Sequence, residues 1–263
     1  ATTDASEIID DEGINTVVIA TRHNSHAGFV INAINAGKHV FVEKPLGLTK
    51  DELEDIDAAT KANPQSLLMV GFNRRFSPQA QKMKSLLASV KEPKIFIMTV
   101  NAGAVPADHW TQDKEVGGGR IIGEACHFVD LLRYLADVSI EEVQSARIGE
   151  LPGMEITDDK LTFTLQFADG SFGTVHYLAN GSKSFPKERL EVFCAGRVLQ
   201  LDNFRRLKGY GWPGFRKMNL WRQDKGQQHC VSAFVDAVVN GKPSPIPLDE
   251  LMEVSRVSNE IAQ

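Results

Sequence analysis

The sequence predicts an α/β chain in two parts: a parallel sheet with alternating helices over residues 1–91, then an α+β domain with a mostly antiparallel open sheet over 92–263. Three observations carry this. Through residue 90, short apolar runs alternate with helical patterns of roughly 10 to 15 residues, the rhythm of βαβ units. The runs INTVVIA (14–20), HVFV (39–42) and SLLMVGF (66–72) are nearly continuous, as expected for parallel strands covered on both faces. Beyond residue 140 the pattern changes to period-two alternation broken by turn residues, the mark of an antiparallel sheet with one buried face.

Each element follows from local chemistry. A short acidic helix opens the chain. Ser25 is a candidate N-cap, with Phe29, Val30 and Ile34 at helical spacing and Gly37 as the stop. Thr49 and Glu52 make a capping box for a helix through about residue 62. Ser77 caps the next helix, with Pro78 at its first position. The boundary between the parts falls near residue 90, beside Pro93. Residues 94–103 read as a strand and 120–136 as one amphipathic helix. Strands follow at 141–149, 160–167, 171–179, 189–196 and 197–204. Ala168-Asp169-Gly170 and Ala195-Gly196 mark hairpins between them. Helices near 226–240 and 248–262 close the chain, packing back on the rest.

Composition narrows the function. A 42% hydrophobic share in 263 residues supports a sizeable core. A net charge of −5 argues against nucleic acid or an anionic membrane as partner. The three cysteines are far apart and form neither a zinc pattern nor a disulfide framework, which points to a reducing cytoplasm. The opening residues do not read as a signal peptide, and no apolar run reaches the roughly 18 residues of a membrane span. His23-x-x-His26 and His229-Cys230 lack a third ligand, so no metal is expected.

Gly209, Gly211 and Gly214 satisfy G-x-G-x-x-G, but Tyr210, Trp212 and Pro213 fill the gaps and no βαβ unit surrounds them. That excludes a dinucleotide loop there. The surrounding RRLKGYGWPGFRK is basic and aromatic. It reads as a solvated hairpin with two anchoring aromatics, as a site for a phosphorylated ligand, or as a single-strand binding surface. Gly117 to Gly119 precede a helix carrying Glu124, His127 and Asp130; such a run lets a ligand approach a helix start. Glu124 and His127, three apart, share a face.

Glu43-Lys44-Pro45 is the sharpest signal. A charged pair at a strand end is ordinarily a surface ion pair of little energetic weight. In open parallel sheets, however, ligands bind beyond the carboxyl ends of the strands. Residues 21–26 follow one such end and Lys44 follows the next, so both face one crevice. Pro45 fixes the exit of the chain, and a cis bond before it would aim the lysine.

Together VVIATRHNSHA, AGKHVFVEKPLGLT, GFNRRFSP and GGGRIIGEACHFVDLLRYL resemble the Gfo/Idh/MocA oxidoreductases, over nearly the whole chain and in the family's order. The resemblance implies a Rossmann domain and a second domain whose open sheet makes a homodimer or homotetramer. It implies NAD or NADP as cofactor and a sugar, polyol or nucleotide sugar as substrate, oxidised at a secondary alcohol. It makes His127 the base, with Lys44 polarising the oxygen and Glu124 assisting. It places Thr21, Asn24, His26, Glu43 and Lys44 on the cofactor, and makes Asn101, His109, Trp110 and Arg120 substrate-pocket candidates.

The sequence departs from the family pattern in three places. Gly123 stands where many members carry the relay aspartate, with Glu124 beside it. Arg22 stands where many have proline. The phosphate-binding glycine loop and acidic ribose residue are expected before residue 1. Two other readings remain open, a catalytically silent assembly module and a sugar-binding protein without redox chemistry. For this chain alone, weak or no dinucleotide affinity is expected; calorimetry showing micromolar NAD binding would refute it.

Overall fold

The computed structural model describes residues 2–149, 152–153 and 156–263. Among these, β1 (Thr16–Ile19), β2 (His39–Val42) and β3 (Leu68–Val70) form a parallel sheet in the order β1-β2-β3. Helices α1 (Ala5–Ile9), α2 (His26–Asn35), α3 (Lys50–Ala62) and α4 (Pro78–Leu87) alternate with these strands. Val40, Phe41, Val42 and all of β3 are buried, which accounts for their unbroken apolar runs. The strand β1 departs from expectation. It is the sheet edge among the described residues, and Val18 is 67% exposed. Its in-register neighbour Phe41 packs on Phe234 at 5.6 Å between rings, and that cover does not extend to Val18.

The caps are local. Thr49 accepts from the Glu52 amide while the Glu52 carboxylate accepts from the Thr49 amide. Ser77 accepts from the Ala80 amide, and Pro78 occupies the first turn of α4. Ser25 stands at the N-cap of α2 without capping it. A 3₁₀ turn, His23–Ser25, precedes the helix, and the Ser25 hydroxyl donates to the Arg22 carbonyl at 2.8 Å.

A second sheet has eight strands in the order β11-β10-β9-β8-β4-β7-β6-β5. They are β4 (Ile95–Asn101), β5 (Ile140–Arg147), β6 (Lys160–Phe167), β7 (Phe172–Leu178), β8 (Glu188–Cys194), β9 (Arg197–Asp202), β10 (Arg206–Tyr210) and β11 (Lys217–Asn219). Only β4 and β7 pair in parallel. Phe96, Met98 and Val100 point to the core, while Ile95 and Ile97 stay partly exposed on the open face. Helix α5 (Cys126–Ala136) covers the inner face through Phe128 against Tyr177. Helices α6 (Gln227–Val239) and α7 (Leu248–Ala262) return to pack near the parallel sheet and on α5.

One expectation changes in detail, and the hairpin reading of 205–217 is borne out. Residues 120–136 are not one regular helix: Ile121–Ala125 form a π turn that hands over to α5. Gly123, a poor helix former, sits in its middle. The 205–217 segment is the β10–β11 hairpin. Trp212 and Phe215 are its buried anchors, and the Trp212 indole donates to the Val198 carbonyl at 3.1 Å. Gly209 lies in β10, and Gly211 and Gly214 in the turn to β11, with no helix after it.

Two adjacent arginines join the sheets, from the 3₁₀ turn Asn73–Phe76 that follows β3. Arg74 makes a two-pronged pair with Glu188 of β8, at 2.9 and 3.0 Å. Arg75 pairs with Asp130 of α5 at 2.6 Å and with Glu250 of α7 at 2.9 Å. Removing one partner of a buried pair strands the other charge. Asp130→Ala is therefore expected to lower the unfolding free energy by about 3–5 kcal/mol, read from urea denaturation. An unchanged urea midpoint would show the pair to be dispensable.

Candidate functional site

The site forms where the three parallel strands end. After β1 comes Thr21 to His26, after β2 Glu43 and Lys44, after β3 Gly71 to Phe76. Ligands of open parallel sheets bind at this edge. The Glu43 amide donates to the Ile19 carbonyl and the Gly71 amide to the Val42 carbonyl, both at 2.8 Å, so sheet pairing fixes where the loops begin. The Lys44–Pro45 bond is cis.

Lys44 reaches across to the second domain. Its ammonium donates to the Gly123 carbonyl at 2.6 Å, inside the π turn. His26 is buried, and its ring lies between the carbonyls of Pro45 (2.7 Å) and Thr21 (3.2 Å), bracing two loops together. The Thr21 and Ser25 hydroxyls pair at 2.7 Å. Asn24 has an exposed side chain, and its amide donates to the Val116 carbonyl at 3.1 Å.

Gly123 has a structural partner. A β-carbon there would lie 2.9 Å from the His23 ring, a contact real side chains do not make. His23 therefore occupies the space that a larger residue at 123 would need. His23 Nδ1 lies 2.7 Å from the Gly117 carbonyl. A carbonyl only accepts, so Nδ1 carries the proton and Nε2 keeps a lone pair. Burial, together with Lys44 and His26, pushes this imidazole down to about 4, against the pull of the Gly117 carbonyl. Trp110 packs edge-on against it at 4.7 Å.

His127 lies at the start of α5 and lines a cavity of about 270 Å³ with Glu43, Asn73, Arg74 and Lys225. Its ring meets Phe72 edge-on. Burial first, then the cations Arg74, Lys44, Lys225 and Lys187, hold it well below the usual imidazole range. It is neutral at pH 7. Its Nδ1 is buried without a hydrogen-bond partner among the described residues. Beneath the cavity, Glu188 binds both Arg74 and Lys225, the latter at 2.6 Å. Burial would raise Glu188, but the two cations overcome it and hold the carboxyl at about 2.

The other predicted residues lie apart from this cavity's lining. Glu124 accepts from Arg120 at 3.0 Å and from the Tyr177 hydroxyl, and no hydrogen bond joins it to His127. Burial would raise its carboxyl, but Lys187, Tyr177, Arg120 and Lys44 bring it below the ordinary value. Arg120 also pairs with Asp159 at 3.5 Å and donates to the Gly103 carbonyl at 2.6 Å. It lines a second cavity, of about 720 Å³, with Gln112, Gly118 and Asn259. Asn101 donates to the Ser182 carbonyl at 2.7 Å and staples a loop. His109 is exposed beside Trp110. His23, Arg74 and Lys225 line or support the site without having been singled out for it from sequence. The signal for Arg74 was its position just past the carboxyl end of β3. Lys225 lies 152 residues beyond Asn73, which binds it, and carried no signal. Among the described residues, no group of three or more His, Cys, Asp or Glu side chains is placed to hold a metal.

Known proteins share the family's sequence pattern and this fold. A model for "Oxidoreductase family, NAD-binding Rossmann fold" of the Gfo/Idh/MocA type matches residues 1–72, and the Gfo/Idh/MocA C-terminal domain matches 81–199. The chain belongs to the Gfo/Idh/MocA oxidoreductase family. It is 29% identical over 207 residues to a myo-inositol 2-dehydrogenase of Thermotoga maritima, covering 77% of this chain and 60% of that one. It is 33% identical over 181 residues to a scyllo-inositol 2-dehydrogenase (NAD(+)) of Bacillus subtilis, covering 65% and 51%. The chain thus spans less than two thirds of these relatives' lengths. A levoglucosan dehydrogenase solved with NADH and levoglucosan has the same fold, with TM-score 0.85 over 99% of this chain and 80% of that one, at 24% identity.

The residues present suit the nicotinamide end of a dinucleotide. The loops at the three strand ends leave Glu43 and Thr21 exposed, and the unpartnered His127 faces a cavity beside them. Among the described residues, no glycine-rich strand-to-helix turn is available for the phosphates. The unfolded chain protonates histidine near pH 6.5, whereas folded His127 stays neutral. His127 therefore withdraws stability as the pH falls below that value. Nitrogen-15 NMR of the histidine side chains is expected to show His127 still neutral where an ordinary imidazole is already protonated; a midpoint near 6.5 would contradict the site as described.

Proposed function

We propose that the chain forms the substrate half of an NAD(P)-dependent dehydrogenase acting on a secondary alcohol of a sugar or polyol. The observation that carries this is the pairing of a neutral, unpartnered, buried His127 with Lys44, whose ammonium is held on the Gly123 carbonyl. A base must be unprotonated and must have its lone pair free, and His127 meets both conditions.

The cofactor, when bound, supplies the hydride acceptor. His127 takes the hydroxyl proton as the alcohol becomes a carbonyl. Lys44 donates a hydrogen bond to the same oxygen, exchanging the Gly123 carbonyl for the substrate. Glu43, exposed at the mouth, would hold the nicotinamide ribose, with Thr21 and Asn24 along the adjacent wall. His26 acts through the two loops it braces. His23, neutral and packed where the family's usual aspartate would project, orients the π turn that presents the Gly123 carbonyl. Glu124 with Arg120 and Tyr177 forms a separate ionic wall.

The partly exposed Ile95, Ile97, Phe172 and Phe193 on the outer face of the eight-stranded sheet favour association of copies through that face. No helix of the described residues is long and apolar enough to cross a membrane. In the full-length protein, Lys44→Met and His127→Asn are each expected to cut turnover by about 10²–10⁴-fold, followed as NADH absorbance with inositols and sugars. Unchanged turnover in either variant would remove that residue from the mechanism. Absence of NADH with every alcohol, alongside measurable sugar binding, would favour a binding module without redox chemistry.

A further inference from the structure

The cavity beside His127 carries a charge that oxidation of a neutral polyol does not need. Arg74 and Lys225 both enter it, and the single buried carboxylate beneath them is Glu188. One buried cation, Arg74, and one partly buried cation, Lys225, against one buried anion leave one positive charge. Glu43 lines the same cavity, but it is exposed at the mouth, where water screens it. Arg74 uses Nε and Nη2 on Glu188, which leaves Nη1 unengaged among the described residues.

The position of Lys225 is built. The Asn73 side-chain amide donates through Nδ2 to the Lys225 carbonyl at 2.7 Å. The next residue, Gly226, has φ +84°, and a β-carbon there would press into the backbone of Phe76 and Ser77 at 2.5–2.6 Å. Only glycine allows the loop to dock this closely and turn the lysine inward. Gly226 is also the N-cap of α6, without a side-chain cap, and Gln227 in the first turn lines the cavity. The free amides of that 13-residue helix add partial positive charge. The His127 Nδ1, buried and unpartnered, supplies a second and independent sign that something polar is meant to arrive.

We infer that the substrate is an acidic sugar, its carboxylate seated between Lys225, Arg74 and the first turn of α6, with the reacting alcohol toward His127. One uncompensated positive charge matches a carboxylate better than a doubly charged phosphate. At about 270 Å³ the cavity lies at the small end of ligand sites, which run from roughly 300 to 1,000 Å³. That suits one sugar ring and leaves no room for a nucleotide. The anion also offsets the cations that keep His127 from accepting a proton, so binding would prepare the base.

This inference rests on reading the cavity as the alcohol site, and its test needs no turnover. Binding of D-glucuronate, D-glucose and D-glucose 6-phosphate to the purified protein is measured by ligand-observed NMR without cofactor. Glucuronate is expected to bind at least about ten-fold more tightly than glucose, one charge-assisted contact's worth. Lys225→Met should abolish the preference, and Lys225→Arg should keep it. Equal binding of glucuronate and glucose, preference for the phosphate, or no binding of glucuronate at 10-fold excess over the others would each overturn the proposal. Preference for glucuronate without any NADH formation in the full-length protein would leave it standing and remove the dehydrogenase reading instead.

Discussion

The ion pairs of Arg74 and Arg75 are the joint on which the rest depends. The two residues are neighbours in one 3₁₀ turn, yet their side chains reach different elements of the second domain. Arg74 meets β8, while Arg75 meets α5 and α7. All the groups involved are largely buried, so none of the pairs is a screened surface contact. A hydrophobic interface could slide; a set of two-pronged carboxylate pairs admits one registry. That registry places the end of the parallel sheet against the start of α5, and so sets Lys44 beside Gly123 and His127 beside Arg74.

The same joint explains the electrostatics of the site. Charges brought in to hold the domains together also surround His127. Arg74 and Lys225 pull Glu188 far down and push His127 in the same direction. The structural and chemical roles are therefore inseparable at Arg74. Gly123 shows a similar coupling on the other side: its missing side chain makes room for His23, and its carbonyl receives Lys44. The glycine at this position is thus matched by a particular neighbour.

Much of this was legible along the chain because it depends on near neighbours. The capping box at Thr49, the Ser77–Pro78 helix start and the hairpin at Gly170 depend on residues a few positions apart, and they appear as read. Where a nearby competitor existed, local reading slipped. Ser25 found the Arg22 carbonyl before it could cap α2, and the helix over 120–136 widened into a π turn at Gly123. Candidate substrate residues such as Asn101 were chosen by type, but an amide serves a loop staple as well as a ligand, and only the neighbours tell the two apart.

The sequence by itself determined the class of fold, the family and the strand-end position of Lys44, because periodicity, turn chemistry and the E-K-P order are properties of adjacent residues. The tertiary structure alone decided what surrounds His127. Arg74, Glu188 and Lys225 are 114 and 37 residues apart along the chain, and no spacing rule connects them. Their meeting follows from how two sheets dock. Charge at short range in a buried cavity is set by that docking, and so the electrostatic character of the site is a property of the folded molecule alone.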